Sequence, residues 1–556
     1  MGEKYFAQPS VMGAQAHFAK APNAEIQRSK FDRSHAVKTT FDGGKLIPIF
    51  LDEVLPGDTF HLDTTMFTRL ATPLKPIMDN LYLDVHYFFV PNRLVWDQWQ
   101  EFMGERPYPS FDPDSVSPPM QPLNTSSTDS TSFTVAEYFG LPQKHTNELE
   151  FTNQSVSCLP FRAYKLIWNE WYRDQNLQSP EEIAMGDYDS DLDLNFDPYR
   201  RGKRHDYFTS CLPWPQKGDP VVIPLTGDAS VYGFGPGVSA TSHFMAHDTT
   251  GANFAVDIYG RADGELTFDN TGGNFEQGDP DVEKMAFNPF FAMGYADLDS
   301  VSAVTINQLR TAFQIQKMLE RDARGGTRYI ELILSHFGVR SDDARLQRPE
   351  YLGGGSTRIN INPIASTAVA TQDETTIPQA NLSAIGTGLL RDAGFTKSFT
   401  EHGLIIGLAS VRADLTYQRT ISRMWQRLTR YDYYWPSLAH LGEQAVYRKE
   451  LFFAGGLSDD QVFGYQERYA EYRYKPSLIT GAFNSDHNDS LDVWHLAQDF
   501  SSQPLLNAQF IRENPPISRV VAVATVGHEF LADIWHDLKC DRPMPVYSVP
   551  GLIDHF

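Results

Sequence analysis

Asp187, Asp189, Asp191 and Asp193 alternate in the run GDYDSDLDLNFD. Alternating carboxylates supply the oxygen ligands that Ca²⁺ takes. The spacing departs from an EF-hand loop, because Leu192 stands where the sharp turn needs Gly and Pro198 where a bidentate Glu would close the site. A solvated acidic loop is the plainer reading. His528, His536 and Cys540 lie in GHEFLADIWHDLKC. On a helix His536 and Cys540, four apart, would share a face suited to zinc. No paired Cys motif and no clear fourth ligand accompany them, so a satisfied core histidine and a buried thiol are expected. The glycines of YGFGPG (Gly233, Gly235, Gly237) and YLGGGST (Gly353, Gly354, Gly355) are not followed by Lys-Ser or Lys-Thr. They read as turns rather than phosphate loops. No nucleophile elbow is present, and the spacing of carboxylates that a glycosidase needs is not visible in a sequence. The chain is therefore expected to be no enzyme and to hold no cofactor and no metal.

The remaining chemistry lies in cations and aromatics. The 556 residues carry 47 Lys/Arg against 70 Asp/Glu, a net charge of −23, which argues against a surface devoted mainly to nucleic acid. Residues 1–45 hold seven basic and four acidic side chains, whereas 217–300 hold three basic and thirteen acidic ones. The same 217–300 segment holds eleven aromatics, including Tyr232, Phe234, Phe244, Tyr259 and Phe275. Exposed aromatics on a loop platform dock partners or stack on sugars; a small core of the segment's own is the alternative. Three widely spaced cysteines give no disulfide framework and fit a reducing cytoplasm. No apolar run approaches the length of a membrane span, so no membrane insertion is expected, and the N-terminus does not read as a signal peptide.

The elements that position these groups read mostly as β. Residues 1–30 lack periodicity and form an extended arm. KLIPIFL, 45–51, is a short strand near an edge, since Pro48 cannot donate to a ladder. In 81–90, Leu83, Val85, Tyr87 and Phe89 face one way and Tyr82, Asp84, His86 and Phe88 the other. A helix after Pro91 places Val95, Trp96, Trp99, Phe102 and Met103 on one stripe. A second, after Pro160, aligns Phe161, Tyr164, Ile167, Trp168 and Trp171, leaving Asn169, Glu170, Arg173 and Asp174 for contacts between subunits. Phe254, Val256 and Ile258, a turn at Asp263-Gly264, then Leu266 and Phe268 form a hairpin. Ile306, Leu309, Phe313 and Leu319 share a face of a helix over 306–323, stopped by Gly325-Gly326. Further strands are expected at 358–362, 403–415, 461–465 and 519–525. Strands scattered between long excursions argue against a doubly wound fold and for a β-sandwich with elaborate insertions.

Long ordered motifs narrow this further. They are FDRSH (31–35), LPGDT (55–59), MDN (78–80), FFVPNR (88–93) with Trp96, RHDYF (204–208), LPWPQKG (212–218), ARGGTRY (323–329), HFGV (336–339) and LQRPEYLGG (346–354). Together they resemble the major capsid proteins of gokushoviruses, small icosahedral single-stranded DNA phages of the microvirus family. The likeness is weakest over 110–150 and 220–300.

The resemblance implies a mainly β fold, the eight-stranded viral jelly roll, with long helical and loop insertions. It implies an arm at 1–30, a capsid body at 31–216 and 301–556, and a surface insertion at 217–300 that forms a protrusion. It implies a structural protein that self-assembles into an icosahedral shell around single-stranded DNA, in the virion, after assembly in the bacterial host cytoplasm. Implied partners are copies of itself, scaffolding and minor virion proteins, the packaged DNA and a host surface receptor. Lys4, Lys20, Arg28, Lys30, Arg33 and Lys38 are then candidates for DNA contact, with Tyr5, Phe6 and Phe18 available to stack on bases. An arm that only ties neighbouring subunits together is the equal alternative. Arg69, Arg93, Arg162, Arg173, Arg324 and Arg328 are candidate interface anchors, since guanidinium forks grip carboxylates and carbonyls. Tyr232, Phe234, Phe244, Tyr259 and Phe275 are candidates for receptor contact. The competing reading is a carbohydrate-binding or carbohydrate-active β-sandwich, which leaves the long motifs unexplained.

Overall fold

The computed structural model describes residues 26–547 except 109, 113–114, 123–132, 143–154, 187–193, 195, 220, 222–229, 233–242, 248–252, 261–265, 271–294, 298–305, 326–328, 339–345, 369, 373–374, 378 and 523–526; for the strands between 230 and 297 it describes the backbone alone. The chain divides into two compact units, one spanning Gln216–Arg324 and the other the chain on either side of it.

The larger unit is built on nine strands: β1 (Ser29–Asp32), β2 (His35–Phe41), β3 (Ile47–Val54), β4 (Thr59–Leu70), β5 (Leu81–Pro91), β6 (Glu350–Ala365), β7 (Leu382–Ser398), β8 (Gly403–Ala413) and β9 (Phe530–Arg542). They lie in two four-stranded layers, β2–β9–β4–β7 and β3–β8–β5–β6, and every pairing is antiparallel. β6 belongs to both: its first ten residues pair with β5 and its last six, Asn360 to Ala365, with β7. β1 extends the ladder along β9 past the end of β2. This is the double Greek key of an eight-stranded jelly roll, with one strand added.

The residue patterns of the two layers differ because their surroundings differ. β4 and β9 alternate buried and exposed side chains, as strands with one wet face do. β8, GLIIGLASVRA, is buried almost throughout. Its layer is covered twice. Ile405, Ala409 and Val411 face the sandwich core with Leu83, Val85 and Tyr87, whereas Leu404, Ile406 and Leu408 meet Phe88, Val90 and the helix α1 (Leu159–Ile167) on the other side. α1 continues through a π turn to Tyr172 and buries Phe161, Tyr164, Ile167 and Trp168. The Tyr164 hydroxyl donates to Leu46 O at 2.9 Å and accepts from Tyr199 N–H at 2.9 Å, which pins the helix to the sheet.

A polar chain crosses the apolar interior from layer to layer. The Tyr87 hydroxyl meets Thr64 Oγ1 at 2.6 Å, Thr64 Oγ1 meets His536 Nδ1 at 2.9 Å, and His536 Nε2 reaches Ile49 O at 3.1 Å. A carbonyl only accepts, so Nε2 carries the proton, Nδ1 accepts from Thr64, and Thr64 accepts from Tyr87. Each group in the chain thereby has a partner, as burial requires. Neighbouring strands within each layer also approach closely at glycines. A Cβ on Gly354 would stand 2.0 Å from Val85 O, and one on Gly394 1.9 Å from Leu62 O.

Several expectations need correcting. Gly353, Gly354 and Gly355 are not a turn but the interior of β6, where a bulge and close backbone contact exclude side chains. Met103 leaves the stripe of Val95 and Trp96 and is exposed, because the helix after Pro91 shortens to a 3₁₀ turn and the single turn Trp99–Phe102. Residues 519–522 form no strand; Ile517–Arg519 is a 3₁₀ turn that buries Ile517 and Val520. β3 begins at Ile47 and pairs only with β8, and Pro48 falls at a register shift on this edge, as its missing N–H demands.

The smaller unit carries the expected hairpin, with Ile258 opposite Phe268 and Gly260 opposite Leu266. A third strand, His243–His247, pairs along the other side of Asn253–Gly260. Helix α2, Ile306–Gly325, lies largely in this unit rather than in the body. Its apolar residues Ile306, Leu309 and Phe313 are exposed.

Candidate assembly surface

A protein that associates must present apolar and guanidinium groups that its own fold does not consume. Much of the expected set is consumed. Arg162 is fully buried and donates to Val95 O at 3.1 Å and Gly186 O at 2.9 Å, so it braces its own chain and cannot anchor a neighbour. Arg93 grips Glu401 with two nitrogens and donates to Leu346 O. Arg173 donates to Gln178 O at 2.8 Å. Asn169 and Asp174 are likewise turned inward, bonding Glu181 and the turn at Asn176–Gln178, which corrects their reading as subunit contacts. Arg69 and Arg324 are exposed, and Arg328 lies outside the described residues.

Arg69 sits on a surface of its own. The wet face of the β2–β9–β4–β7 layer carries Phe67, Leu389, Leu531 and Trp535, each exposed. Leu389 stands opposite Phe67, and Leu531 opposite Arg69. Wet sheet faces are ordinarily polar, so large apolar groups here mark a face that something covers.

A second surface was not anticipated. Between Ser422 and Leu441 the chain makes three single 3₁₀ turns, Arg423–Gln426, Arg430–Asp432 and Pro436–Leu438. Met424, Trp425, Leu428, Tyr431, Tyr433, Tyr434, Trp435 and Leu441 all project into solvent, Trp425 at 76% and Leu428 at 93% of full exposure. The segment is nevertheless firmly held. Asp432 accepts the N–H groups of Leu428 and Thr429 and the Thr429 hydroxyl, and these bonds hold its carboxyl below the usual range. Trp435 Nε1 donates to Arg430 O at 2.8 Å, and Tyr469 donates to Tyr431 O at 3.2 Å. Arg427 lies 4.4 Å over the Tyr472 ring and 3.6 Å from Glu471. Arg423 reaches Ala445 O and the buried Glu450. Rigid Trp, Tyr and Arg groups in one place are the composition of an interface centre.

The basic amino-terminal candidates are partly engaged. Lys4 and Lys20, with Tyr5, Phe6 and Phe18, lie outside the described residues. Arg28 donates to Gly57 O, Arg33 pairs with Asp52, and Lys38 stands 3.7 Å from Asp533, while Lys30 is exposed. Phe234 and Phe275 are outside the described residues, and Tyr232, Phe244 and Tyr259 are placed on strands by backbone only. So too the acidic run Asp187–Asp193 and the glycines of YGFGPG lie outside them. His536 and Cys540 share a buried face, but of strand β9 and not of a helix; Cys158, Cys211 and Cys540 are buried and joined by no disulfide. Among the described residues no three His, Cys, Asp or Glu side chains are grouped to hold a metal, and no helix is long and apolar enough to cross a membrane.

A jelly roll whose outward faces offer rigid aromatic and arginine surfaces defines a protein of the shell-building class. Comparison with known proteins agrees. The family described as "Capsid protein (F protein)" matches residues 19–552. Capsid protein VP1 of Chlamydia phage 1 is 43% identical, and that of Bdellovibrio phage phiMH2K 42%, each over 98% of both chains. Capsid protein VP1 of Spiroplasma virus 4 is 35% identical over 98% of this chain and 99% of its own. The chain belongs to this phage capsid protein family. Its role is structural: it is a virion component that assembles with copies of itself into a shell.

Proposed function

We propose that copies of this chain meet through the platform at 424–441 and the wet face of the β2–β9–β4–β7 layer, and that these unlike contacts close an icosahedral shell around single-stranded DNA. The observation that carries the reading is the platform: a dense group of large apolar side chains held in solvent by buried ion pairs and capped turns. Heterologous contacts form closed shells when their rotations close. The icosahedral form and the DNA rest on the gokushovirus-like motifs. Assembly in the bacterial cytoplasm with scaffolding and minor proteins, a basic arm at 1–30 on the genome, and an outward segment at 217–300 that meets a host receptor complete the reading. No catalytic step is part of it.

The test is expression in bacteria with the neighbouring genes, followed by sedimentation, negative-stain microscopy and the 260/280 nm absorbance ratio of the particles. Closed shells containing DNA are expected. A homogeneous monomer would overturn the proposal and bring the carbohydrate-binding reading forward, to be checked on a glycan panel.

A further inference from the structure

The body contains an open cavity of about 470 Å³ that assembly through the two surfaces above does not use. Its floor is the second face of β5, His86 and Phe88, and His86 Nδ1 is fixed by the Tyr172 hydroxyl at 2.8 Å. One wall is aromatic. Trp171 and Tyr351 stand with ring centroids 6.0 Å apart, each still about two-fifths exposed, at 41% and 44%. Trp171 Nε1 donates to Pro349 O at 2.9 Å, with the Arg348 guanidinium 5.6 Å over its ring, and Tyr351 lies opposite Phe88 in the β5–β6 ladder, so both rings are held while part of each stays exposed.

The lining also carries Arg173, Arg201, the largely buried Lys203, and His205. Arg201 is fixed by the buried Asp84, at 2.7 Å, and Ser410, at 2.8 Å. Lys203 is fixed by Gln498 at 2.7 Å and lies 4.2 Å over the Phe510 ring. His205 is exposed, beside the exposed Arg204. The one carboxylate on the lining, Asp174, is turned into its own loop, where Oδ1 accepts from Asn176 N–H at 2.9 Å and Leu177 N–H at 3.1 Å. The lining itself holds three formal cations and one carboxylate, and Asp84, which is not on the lining, balances Arg201.

Partly exposed, fixed rings beside cations are what an unpaired nucleotide needs: the base stacks and the phosphate is neutralised, with tolerance of sequence. An acidic peptide would use the cations and leave the rings idle. A cavity of this size suits a ligand of one nucleotide. We infer that the cavity between Trp171, Tyr351 and the 201–205 loop is a site for an unpaired nucleotide of the enclosed strand. This rests on the reading that the shell contains single-stranded DNA, and it places a contact in the folded body, separate from the basic arm.

Purified particles would be irradiated with ultraviolet light and digested, and the nucleotide adducts mapped by mass spectrometry. Adducts on peptides carrying Trp171, Tyr351 or His205 are expected. In parallel, binding of a fluorescent ten-residue oligothymidylate to the full chain would be compared across variants of unchanged melting temperature. Tyr351→Leu should bind about tenfold more weakly, and Tyr351→Phe, which keeps the ring, within about twofold of the parent. Particles that contain DNA but show adducts only elsewhere, for instance within 1–38, would refute this site and spare the shell reading. Particles without DNA would sink both. A cross-link from the cavity to a peptide of another copy, or equal binding by Tyr351→Leu, would also overturn the inference.

Discussion

Trp425→Ala puts the assembly surface to its sharpest test. The Trp425 backbone N–H bonds Ser422 O at 3.0 Å, while its indole is 76% exposed. A Trp side chain presents about 200 Å², so roughly 150 Å² is on offer to a neighbour. At ~25 cal/mol per Å² full coverage is worth at most about 4 kcal/mol. Ordering and desolvation reduce this, and about 2 kcal/mol per contact is the expected loss, in the range of an interface hot spot. That corresponds to an approximately 30-fold rise in the concentration needed for shells. The fold should be unaffected, because exposed substitutions away from special features stay within about 0.5 kcal/mol. Purified chain, supplied with the products of the neighbouring genes, would be titrated through the assembly threshold and shells counted by gradient sedimentation, with thermal melting of the unassembled chain as control. A variant that forms shells at the parent's threshold would refute the role of the platform. A variant with a lowered melting temperature would show instead that the indole stabilises the monomer.

Other perturbations test the fold beneath this surface. Burial, with Asp42 alongside, pushes the Glu529 carboxyl up to about 7, against the favourable Gly43 N–H at 2.8 Å. The folded chain therefore holds a proton that the unfolded chain releases, and stability falls as pH rises from about 4.5 towards about 7. Glu529→Gln should remove that fall, about 2 kcal/mol after allowance for partial exposure, in urea titrations at pH 5 and 8. Burial depresses His536 to about 4, so its contribution is fully present above pH 6.5 and is lost as pH falls through about 4; His536→Gln should flatten the acid limb of the stability curve. Tyr87→Phe removes the first donor of the interior polar chain and should lower stability by about 1–2 kcal/mol, measured by denaturant unfolding. Gly354→Ala places a methyl 2.0 Å from Val85 O and should cost about 3 kcal/mol or more, seen as a lowered melting temperature or loss of soluble protein.

The strands most visible in the sequence were those whose two faces meet different things. β5 alternates because one face enters the sandwich core and the other meets α1. β9 shows no clear strand period in the sequence, and His536 and Cys540 suit a helix as well, because Leu531 and Trp535 are large apolar groups on the wet face and blur the period of two. β4 is hidden in the sequence for the converse reason: Thr64 and Thr68 are buried, so polar residues stand on the core face. The glycines of β6 looked like a turn because the backbone contact that requires them comes from a strand far away in sequence. The platform at 424–441 could have been sought as a run dense in Trp, Tyr and Arg with neither helical nor strand period. Whether such a run is core or surface depends on tertiary packing that no local pattern records.

The place of β9 governs when a newly made chain becomes competent. It lies between β2 and β4, yet it is translated about 460 residues after β4 ends. At ~5–20 residues per second the ribosome needs roughly 25–90 s to cover that distance. Throughout that time the layer lacks its inner strand, and the ladder groups of β2 and β4 that β9 will satisfy stay open. The surface bearing Trp535 and Leu531 does not exist until β9 is seated. On the proposed contact, chains released before β9 lack the wet-face half and cannot pass the contact on to a further subunit, so only a complete chain can extend a shell on both sides.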